Sequence, residues 1–202
     1  MSLALLEDRL EEGARLPLAA APRVVYVVSG RVEIDGVMTD ENHAWHAVGA
    51  CVVHARAAAR LWRWELRGDG AADDPRLKLS HAVDLPPGGA LMRCDRVDFP
   101  PRGIAYTHTH QGPGIRMLLR GRFRVETSGT AIVLEPGAPW FERGPDPIYA
   151  ESIADEPTSF VRVMVLPAAL HGKSSIRYVK PEDQARPKSQ TYTVFVDALI
   201  AP

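Results

Sequence analysis

Short runs rich in apolar residues, separated by Gly, Pro and polar turns, recur along most of the chain, which is the pattern of β-strands. Such runs cover residues 25–34, 60–66, 77–85, 91–99, 117–125 and 160–166, with further strand candidates at 175–179 and 191–196. Helical spacing occurs at residues 3–15, where apolar residues at 3, 6 and 10 are separated by charges. Gly and Pro, 16 and 17 in number, suit many short strands. The pattern predicts an all-β fold with a short amphipathic N-terminal helix.

An internal repeat organises these elements. Residues 25–34, with Gly30 at the turn, match residues 116–125, with Gly121 at the turn. Residues 44–46 parallel 139–141, and 60–66 parallel 160–166, with a spacing that grows as loops lengthen. The repeat predicts an N-terminal unit at 1–75, a C-terminal unit at 76–166 and an extension at 167–202. Residues 67–75 have the composition of a loop, and the extension is expected to pack on a barrel or on a partner subunit.

Two histidines in the second repeat carry the main chemical signal. His108 and His110 are separated by one residue, and side chains at i and i+2 of a strand point to the same face. The two imidazoles can therefore meet at one metal ion, and imidazole suits zinc, iron, copper and nickel. Two polar residues at the rim of a strand would give the same pattern.

The surrounding residues resemble the cupin superfamily. Its first motif contains a glycine, a His-X-His pair and a closing glycine, which correspond to Gly103, His108, His110 and Gly121. Residues 135–150 keep the outline of the second motif. The resemblance implies double-stranded β-helix (jelly-roll) barrels, a bicupin because of the repeat, a divalent metal ion (Fe, Mn, Ni or Zn) and a homodimer.

Two of the ligands that the resemblance implies are missing. Gly114 and Ile115 stand where the first motif has a carboxylate, and residues 147–149 contain no histidine. Two other residues are candidate ligands. Glu142, two residues after Trp140, would share its face of the strand and complete a set of two histidines and one carboxylate, and Gln111 would offer a carbonyl oxygen. A solvated glutamate beside an arginine is the competing interpretation for Glu142.

The first repeat lacks the histidine pair. Pro17 and Ala19 align with His108 and His110, and neither can bind metal. We therefore expect a degenerate, metal-free N-terminal barrel that packs against the rest of the chain.

Three further residues are candidates for substrate contact in the second repeat. Tyr106 has the parity of His108, and with Trp140 it would form an aromatic wall, although aromatic residues in a small barrel also serve as core. Arg116 belongs to an alternating series of arginines that would form a solvated face, yet it also has the parity of position 114 and would then bind a substrate anion. The sequence assigns no catalytic residue.

Composition limits the partners. Lys and Arg number 24 against 25 Asp and Glu, so the formal charge of -1 provides no field for nucleic acid or an anionic membrane. No apolar run approaches a membrane span of roughly 18 residues, and the start of the chain lacks a signal-peptide pattern. Cys51 and Cys94 have no metal or disulfide spacing, which predicts a reduced, cytoplasmic protein.

Two functions follow as hypotheses. The first is a metal-dependent cupin enzyme, an oxidoreductase of dioxygenase type that acts on a small organic molecule. The second is a non-catalytic cupin that binds a small ligand or has a structural role. Retention of both histidines favours the first, and loss of two ligands favours the second.

Overall fold

The structure is a computed structural model that describes residues 1–68, 73–153 and 155–200. Positions 69–72 of the predicted loop at 67–75 therefore lie outside the described residues. The chain divides into two compact units, one containing Met1–Leu85 with Ile200, the other Pro86–Leu199. No helix among the described residues is long and apolar enough to cross a membrane.

The first unit is built from two antiparallel sheets. One sheet has the strand order β6-β3-β8-β1-β9 and the other β2-β7-β4-β5. Apolar side chains from both sheets form its core, including Val25, Ile34, Val53 and Leu61. The strands are β1 (Ser2–Leu10), β2 (Arg15–Leu18), β3 (Arg23–Ser29), β4 (Arg31–Ile34), β5 (Val37–Asp40), β6 (Ala44–Ala47), β7 (Cys51–Ala55), β8 (Ala59–Arg67) and β9 (Leu77–Ala82).

The second unit has the same arrangement with one strand more. Its sheets have the orders β15-β12-β17-β10-β19 and β14-β13-β16-β11-β18. The strands are β10 (Ala90–Phe99), β11 (Ile104–His110), β12 (Gly114–Arg120), β13 (Phe123–Thr127), β14 (Thr130–Leu134), β15 (Pro139–Glu142), β16 (Ile148–Ser152), β17 (Thr158–Pro167), β18 (Ile176–Tyr178) and β19 (Thr191–Ile200), with a 3₁₀ turn at Ala168–Leu170 and the short helix α1 at Pro181–Ala185. The first four strands of the sheet β15-β12-β17-β10-β19 repeat the order β6-β3-β8-β1 of the N-terminal unit, whereas the edge strand β19 comes one strand later in the chain than β9 does.

The turn glycines of the repeat have a steric role in each unit. Gly30 and Gly121 both have positive φ, at 84° and 77°. A Cβ on Gly30 would lie 2.2 Å from the Ala58 carbonyl oxygen, and one on Gly121 would lie 2.3 Å from Thr158 Oγ1. Only glycine combines this backbone conformation with so close an approach.

The predicted N-terminal helix is wrong. Residues 2–10 form β1, which pairs with β8 on one side and β9 on the other. Leu3, Ala4, Leu5 and Leu6 are all fully buried, so both faces of this strand are covered. A strand buried on both faces loses its alternation, and the remaining apolar spacing imitates a helix.

The boundary between the units differs from the predicted one. The sequence places it after residue 75, whereas the first unit extends to Leu85. The reason is that β9 adds to the edge of β1 in the first sheet. The extension after residue 166 contributes β18 and β19 to the two sheets of the second unit, beside β11 and β10 respectively.

Candidate metal and ligand site

His108 and His110 meet inside the second unit. Both lie on β11, which is flanked by β16 and β18, and both are buried. Their Nε2 atoms are 3.3 Å apart, and the two rings are nearly perpendicular, at 85°. The convergence predicted from the i and i+2 spacing is therefore present in the structure.

The backbone orients the first imidazole. His108 Nδ1 donates a hydrogen bond to the Tyr106 carbonyl oxygen at 2.7 Å, which leaves the lone pair of Nε2 directed at His110. A ring held in this way by its other nitrogen is typical of metal-ligating histidines. His110 Nδ1, in contrast, is buried without a hydrogen-bond partner among the described residues.

Burial keeps both imidazoles neutral near pH 7. Burial lowers the pKa of His108 below its ordinary value, although the hydrogen bond to Tyr106 partly opposes this. Burial lowers the pKa of His110 further, and the positive charges of Arg162 and Arg116 add to this effect. Neutral imidazole is the form that binds metal.

Glu142 is the carboxylate nearest to the pair. It ends β15 and is buried, with Oε2 3.5 Å from His110 Nε2. Oε1 accepts a hydrogen bond from Trp140 Nε1 at 2.9 Å. Oε2 lies 2.5 Å from Arg116 Nη2, but the two groups are not aligned for a hydrogen bond. The Glu142 side chain therefore points into the barrel, where it already contacts the Arg116 guanidinium.

Arg116 is fully buried next to this carboxylate. It lies on β12, and Nη1 donates to the carbonyl oxygen of Gly114 at 2.6 Å. Burial lowers its pKa to about 10, and the nearby Arg162 contributes, while Glu142 opposes the change. The sequence left open whether Arg116 lies on a solvated face of its strand or inside the barrel, and the structure places it inside.

Arg162 and Asp95 form an ion pair that the sequence interpretation missed. Arg162 Nε and Nη2 donate to the two carboxylate oxygens of Asp95 at 2.6 and 3.1 Å. Arg162 Nη1 lies 3.5 Å from His110 Nε2. Burial opposes the charge of Arg162, but Asp95 outweighs it and raises its pKa above the ordinary value. Arg162 is the one charged residue of β17, which marks it in the sequence as a buried charge that needs a partner, whereas Asp95 lies on a strand with several charges, Arg93, Arg96 and Asp98.

Tyr106 is not in the cavity with the histidines. Its ring contacts Arg186 and Lys188 instead, with the Arg186 guanidinium carbon 5.0 Å and Lys188 Nζ 5.6 Å from its centroid. A break in the register of β11 between Ala105 and His108 explains the difference. The break shifts the alternation, so that Ala105 faces the cavity in place of Tyr106.

Trp140 is a core residue that also holds Glu142. It packs against Phe160 and Phe123 with ring centroids 5.1 and 6.0 Å apart.

Gln111, the other candidate ligand, directs its side-chain amide at the Ser174 carbonyl oxygen, at 3.5 Å, and does not line the cavity.

The space between these residues is small. The histidine cavity, as we name it, has a volume of about 20 Å³. Its lining comprises Val97, Phe99, Ala105, His108, His110, Phe123, Glu142, Ile148, Ala150, Phe160, Arg162 and Tyr192. A volume of this size holds about one water molecule or one ion.

The donor set fits a divalent ion in part. Ligand atoms of a tetrahedral ion with bonds of about 2.1 Å lie roughly 3.4 Å apart, and the His108–His110 and His110–Glu142 separations are 3.3 and 3.5 Å. As the side chains stand, however, no group of three or more His, Cys, Asp or Glu among residues 1–68, 73–153 and 155–200 is arranged to hold an ion. The two histidines fit, and Glu142 fits once it exchanges its contact with Arg116 for the ion.

Comparison with known proteins places the fold. No protein-family model and no curated protein matches the sequence. Among solved structures, AerE from Microcystis aeruginosa is similar, with a TM-score of 0.64 and 10% identity over 81% of this chain and 88% of that one. A deletion mutant of Bacillus subtilis oxalate decarboxylase OxdC is similar with a TM-score of 0.67 and 13% identity, over 92% of this chain and 73% of that one. At these identities the likeness shows the fold alone, and the chain has the all-β cupin fold of these proteins.

Proposed function

We propose that the chain is a bicupin whose second unit binds a divalent metal ion through His108 and His110, with Glu142 as the third ligand. The observation that carries the proposal is the 3.3 Å separation of the two Nε2 atoms, with His108 oriented by the Tyr106 carbonyl. The fold neighbours give independent support, because one structure of B. subtilis oxalate decarboxylase is described by its Mn(II) centres. The ion of this chain would be Fe, Mn, Ni or Zn.

The chemistry proposed is oxidation of a small organic substrate. Two histidines and one carboxylate are the ligand set of non-haem Fe(II) oxygenases, in which the ion supplies open positions for substrate and oxygen. The chain's own residues hold this set in place: Tyr106 fixes one ring and Trp140 fixes one oxygen of Glu142. Apolar residues such as Phe99, Phe123 and Phe160 exclude water from the cavity.

A second candidate function is favoured by the contact between Arg116 and Glu142. While this ion pair is intact, Glu142 is engaged by Arg116 and is not free to bind a metal ion, and the two charges balance each other without metal. The protein would then be a non-catalytic cupin that binds a small ligand or has a structural role.

The first unit is proposed to be the degenerate, metal-free barrel. Its buried polar residues form an ion-pair network in which Arg63 contacts Asp8 at 2.8 Å and Glu65 at 2.7 Å. Arg23 also contacts Glu65, at 3.0 Å. These charges satisfy one another, which is the behaviour expected of a structural core.

Metal content tests the first candidate against the second. The protein, purified without a histidine tag, is compared with the double variant His108→Ala/His110→Ala and with a control, His43→Ala/His81→Ala, at two exposed histidines. Near-stoichiometric metal in the first and third samples only would support the proposed site. Absence of metal from all three after reconstitution would favour the non-catalytic function, and metal retained in the His108/His110 variant would refute the location.

Assembly and location are also proposals. Strand β14 lies at a sheet edge with Ile132 and Val133 exposed, and an apolar edge of this kind suits pairing with a second copy in a homodimer. Light scattering in solution would measure the molecular mass, and a dimer would give twice the mass of one chain.

Cys51 and Cys94 are free and buried, which supports the proposal of a cytoplasmic protein.

A further inference from the structure

Two side chains separate the histidine cavity from a much larger space. The outer cleft, as we name it, has a volume of about 450 Å³. Arg162 and Tyr192 are the described residues that line both spaces. The cleft is lined by Arg93, Asp95, Arg162, residues 172–176, Tyr192, Val194 and Asp197. These two side chains therefore stand at the junction between the two spaces.

The volumes of the two spaces indicate which part of a ligand each could hold. The histidine cavity, at about 20 Å³, has no room for an organic molecule. The outer cleft falls within the range of about 300–1,000 Å³ that is typical of small-molecule sites. A ligand would place its body in the cleft and extend only one small group towards the histidines.

At the junction, Arg162 has one guanidinium nitrogen, Nη1, without a close hydrogen-bond acceptor among the described residues. Asp95 engages Nε and Nη2 of Arg162, whereas Nη1 has, among the residues that the structure describes, a single long contact of 3.5 Å with His110 Nε2. The guanidinium carbon lies 5.5 Å from the centroid of the Tyr192 ring. Nη1 is therefore the nitrogen of Arg162 that Asp95 leaves for a ligand oxygen at the junction.

The charges at the site favour an anion. Arg116 with Glu142 and Arg162 with Asp95 sum to zero. A divalent ion on the histidines would therefore leave two uncompensated positive charges in a buried region, which is costly. A carboxylate on the ligand would compensate one of these two charges.

We propose that the outer cleft holds the body of a small organic acid whose carboxylate reaches the histidine cavity between Arg162 and Tyr192. This inference rests on the proposed function of the same site, because it names the class of its substrate. Tyr192 lies on β19, so the C-terminal segment supplies the entrance to the site.

Titration with a charged and a neutral probe tests the inference. Benzoate and benzamide, which have similar shapes, are added to the 15N-labelled protein with and without Zn²⁺, and amide shifts of residues 172–176 and 192 are followed by NMR. We expect benzoate to shift these amides, and we expect benzamide to bind at least about tenfold more weakly than benzoate. Equal binding of the two probes, or no shift with benzoate in either form, would overturn the inference.

Variants locate the route. Tyr192→Ala removes a side chain that is 41% exposed, and Leu199→Ala, on the same strand and outside the cleft, is the matched control. We expect Tyr192→Ala to speed the release of zinc to a chelator by about tenfold and Leu199→Ala to leave it unchanged. Arg162→Lys, which keeps the charge opposite Asp95, should retain the fold and weaken benzoate binding. Benzoate affinity unchanged in Arg162→Lys would contradict the role of Arg162.

The two proposals fail separately. Ring nitrogen signals of His108 and His110 report zinc binding independently of the organic probe. If zinc does not bind but benzoate still shifts the cleft amides, the metal proposal falls and the acid site stands. If zinc binds and benzoate is not preferred over benzamide, the metal proposal stands and the acid site falls.

Discussion

Arg116 Nη2 lies 2.5 Å from Glu142 Oε2, so the carboxylate proposed to complete the metal site also compensates the charge of a fully buried arginine. The same oxygen is 3.5 Å from His110 Nε2. A metal ion on the two histidines would therefore compete with Arg116 for one carboxylate.

Replacement of the arginine tests this competition. We expect Arg116→Gln, without metal, to lower the free energy of unfolding by about 3 kcal/mol, because Glu142 would be left buried without its cation. The same variant should bind zinc more tightly than the wild type and regain stability as zinc is added. Urea unfolding with and without zinc measures both effects.

The control for this prediction is an exposed arginine. Arg143 is 69% exposed and pairs with Asp146 at 2.7 Å, so Arg143→Gln should leave the free energy of unfolding almost unchanged. Zinc affinity that is not raised in Arg116→Gln would show that Glu142 is not a ligand.

A steric limit at Gly114 predicts a second outcome. A Cβ at this position would lie 2.6 Å from the Val163 carbonyl oxygen and 3.0 Å from Arg116 Nη1. We expect Gly114→Ala to lower the free energy of unfolding by about 1–3 kcal/mol, since the backbone of β17 must move. Gly49→Ala, which meets no heavy atom of the described chain within 4 Å, should stay within about 0.5 kcal/mol in the same measurement. Equal effects of the two changes would contradict the steric argument.

The hydrogen bond from Trp140 to Glu142 gives a third prediction. Trp140→Phe keeps ring packing against Phe123 and Phe160 but removes the donor at 2.9 Å. We expect a loss of about 1.5–3 kcal/mol in the free energy of unfolding, as for a hydrogen bond to a charged group. A double-mutant cycle with Glu142→Gln checks the cause, because the two losses should not add. Additive losses would assign the effect of Trp140→Phe to packing alone.

The stability of the first unit should depend on pH through Glu65. Burial alone would raise the pKa of Glu65, but Arg63 and Arg67 outweigh burial and hold it below the ordinary value of 4.5. Since the pKa in the folded state is the lower one, the stabilisation is complete above the unfolded pKa and is lost as pH falls through the folded pKa.

Unfolding in urea between pH 7 and acid pH measures this dependence. Glu65→Gln should be less stable than the wild type at pH 7 by about 3 kcal/mol, because buried arginines lose their partner, and the difference should shrink as the pH falls. The exposed Glu12→Gln is the control and should follow the wild type at every pH. A difference for Glu65→Gln that is independent of pH would exclude an electrostatic origin.

Alternation and repetition were sufficient to predict most of the fold. Strands with one buried face, such as β4 and β13, were recognised because buried and more exposed positions alternate along them. Strand β1 was not, because Leu3 to Leu6 are buried on both faces and carry no period of two. The partners of β18 and β19 could not be predicted either, since pairing with β11 and β10 is a long-range property.

The candidate site was predictable where two residues share one strand. His108 with His110, and Trp140 with Glu142, follow from i and i+2 spacing. The pair of Arg162 with Asp95 joins β17 to β10, and local sequence does not encode such a contact. Tyr106 was misplaced because the register break in β11 leaves no local signal.

The pairing of β18 with β11 and of β19 with β10 makes the C-terminal segment part of the barrel wall. A chain shortened after Pro167 would present two bare strand edges, and one of them would carry the histidines. Such edges recruit other chains into intermolecular sheets. Removal of this segment would consequently be expected to cause aggregation before any loss of ligand binding could be measured, so the solubility of shortened forms reports on how the barrel is closed.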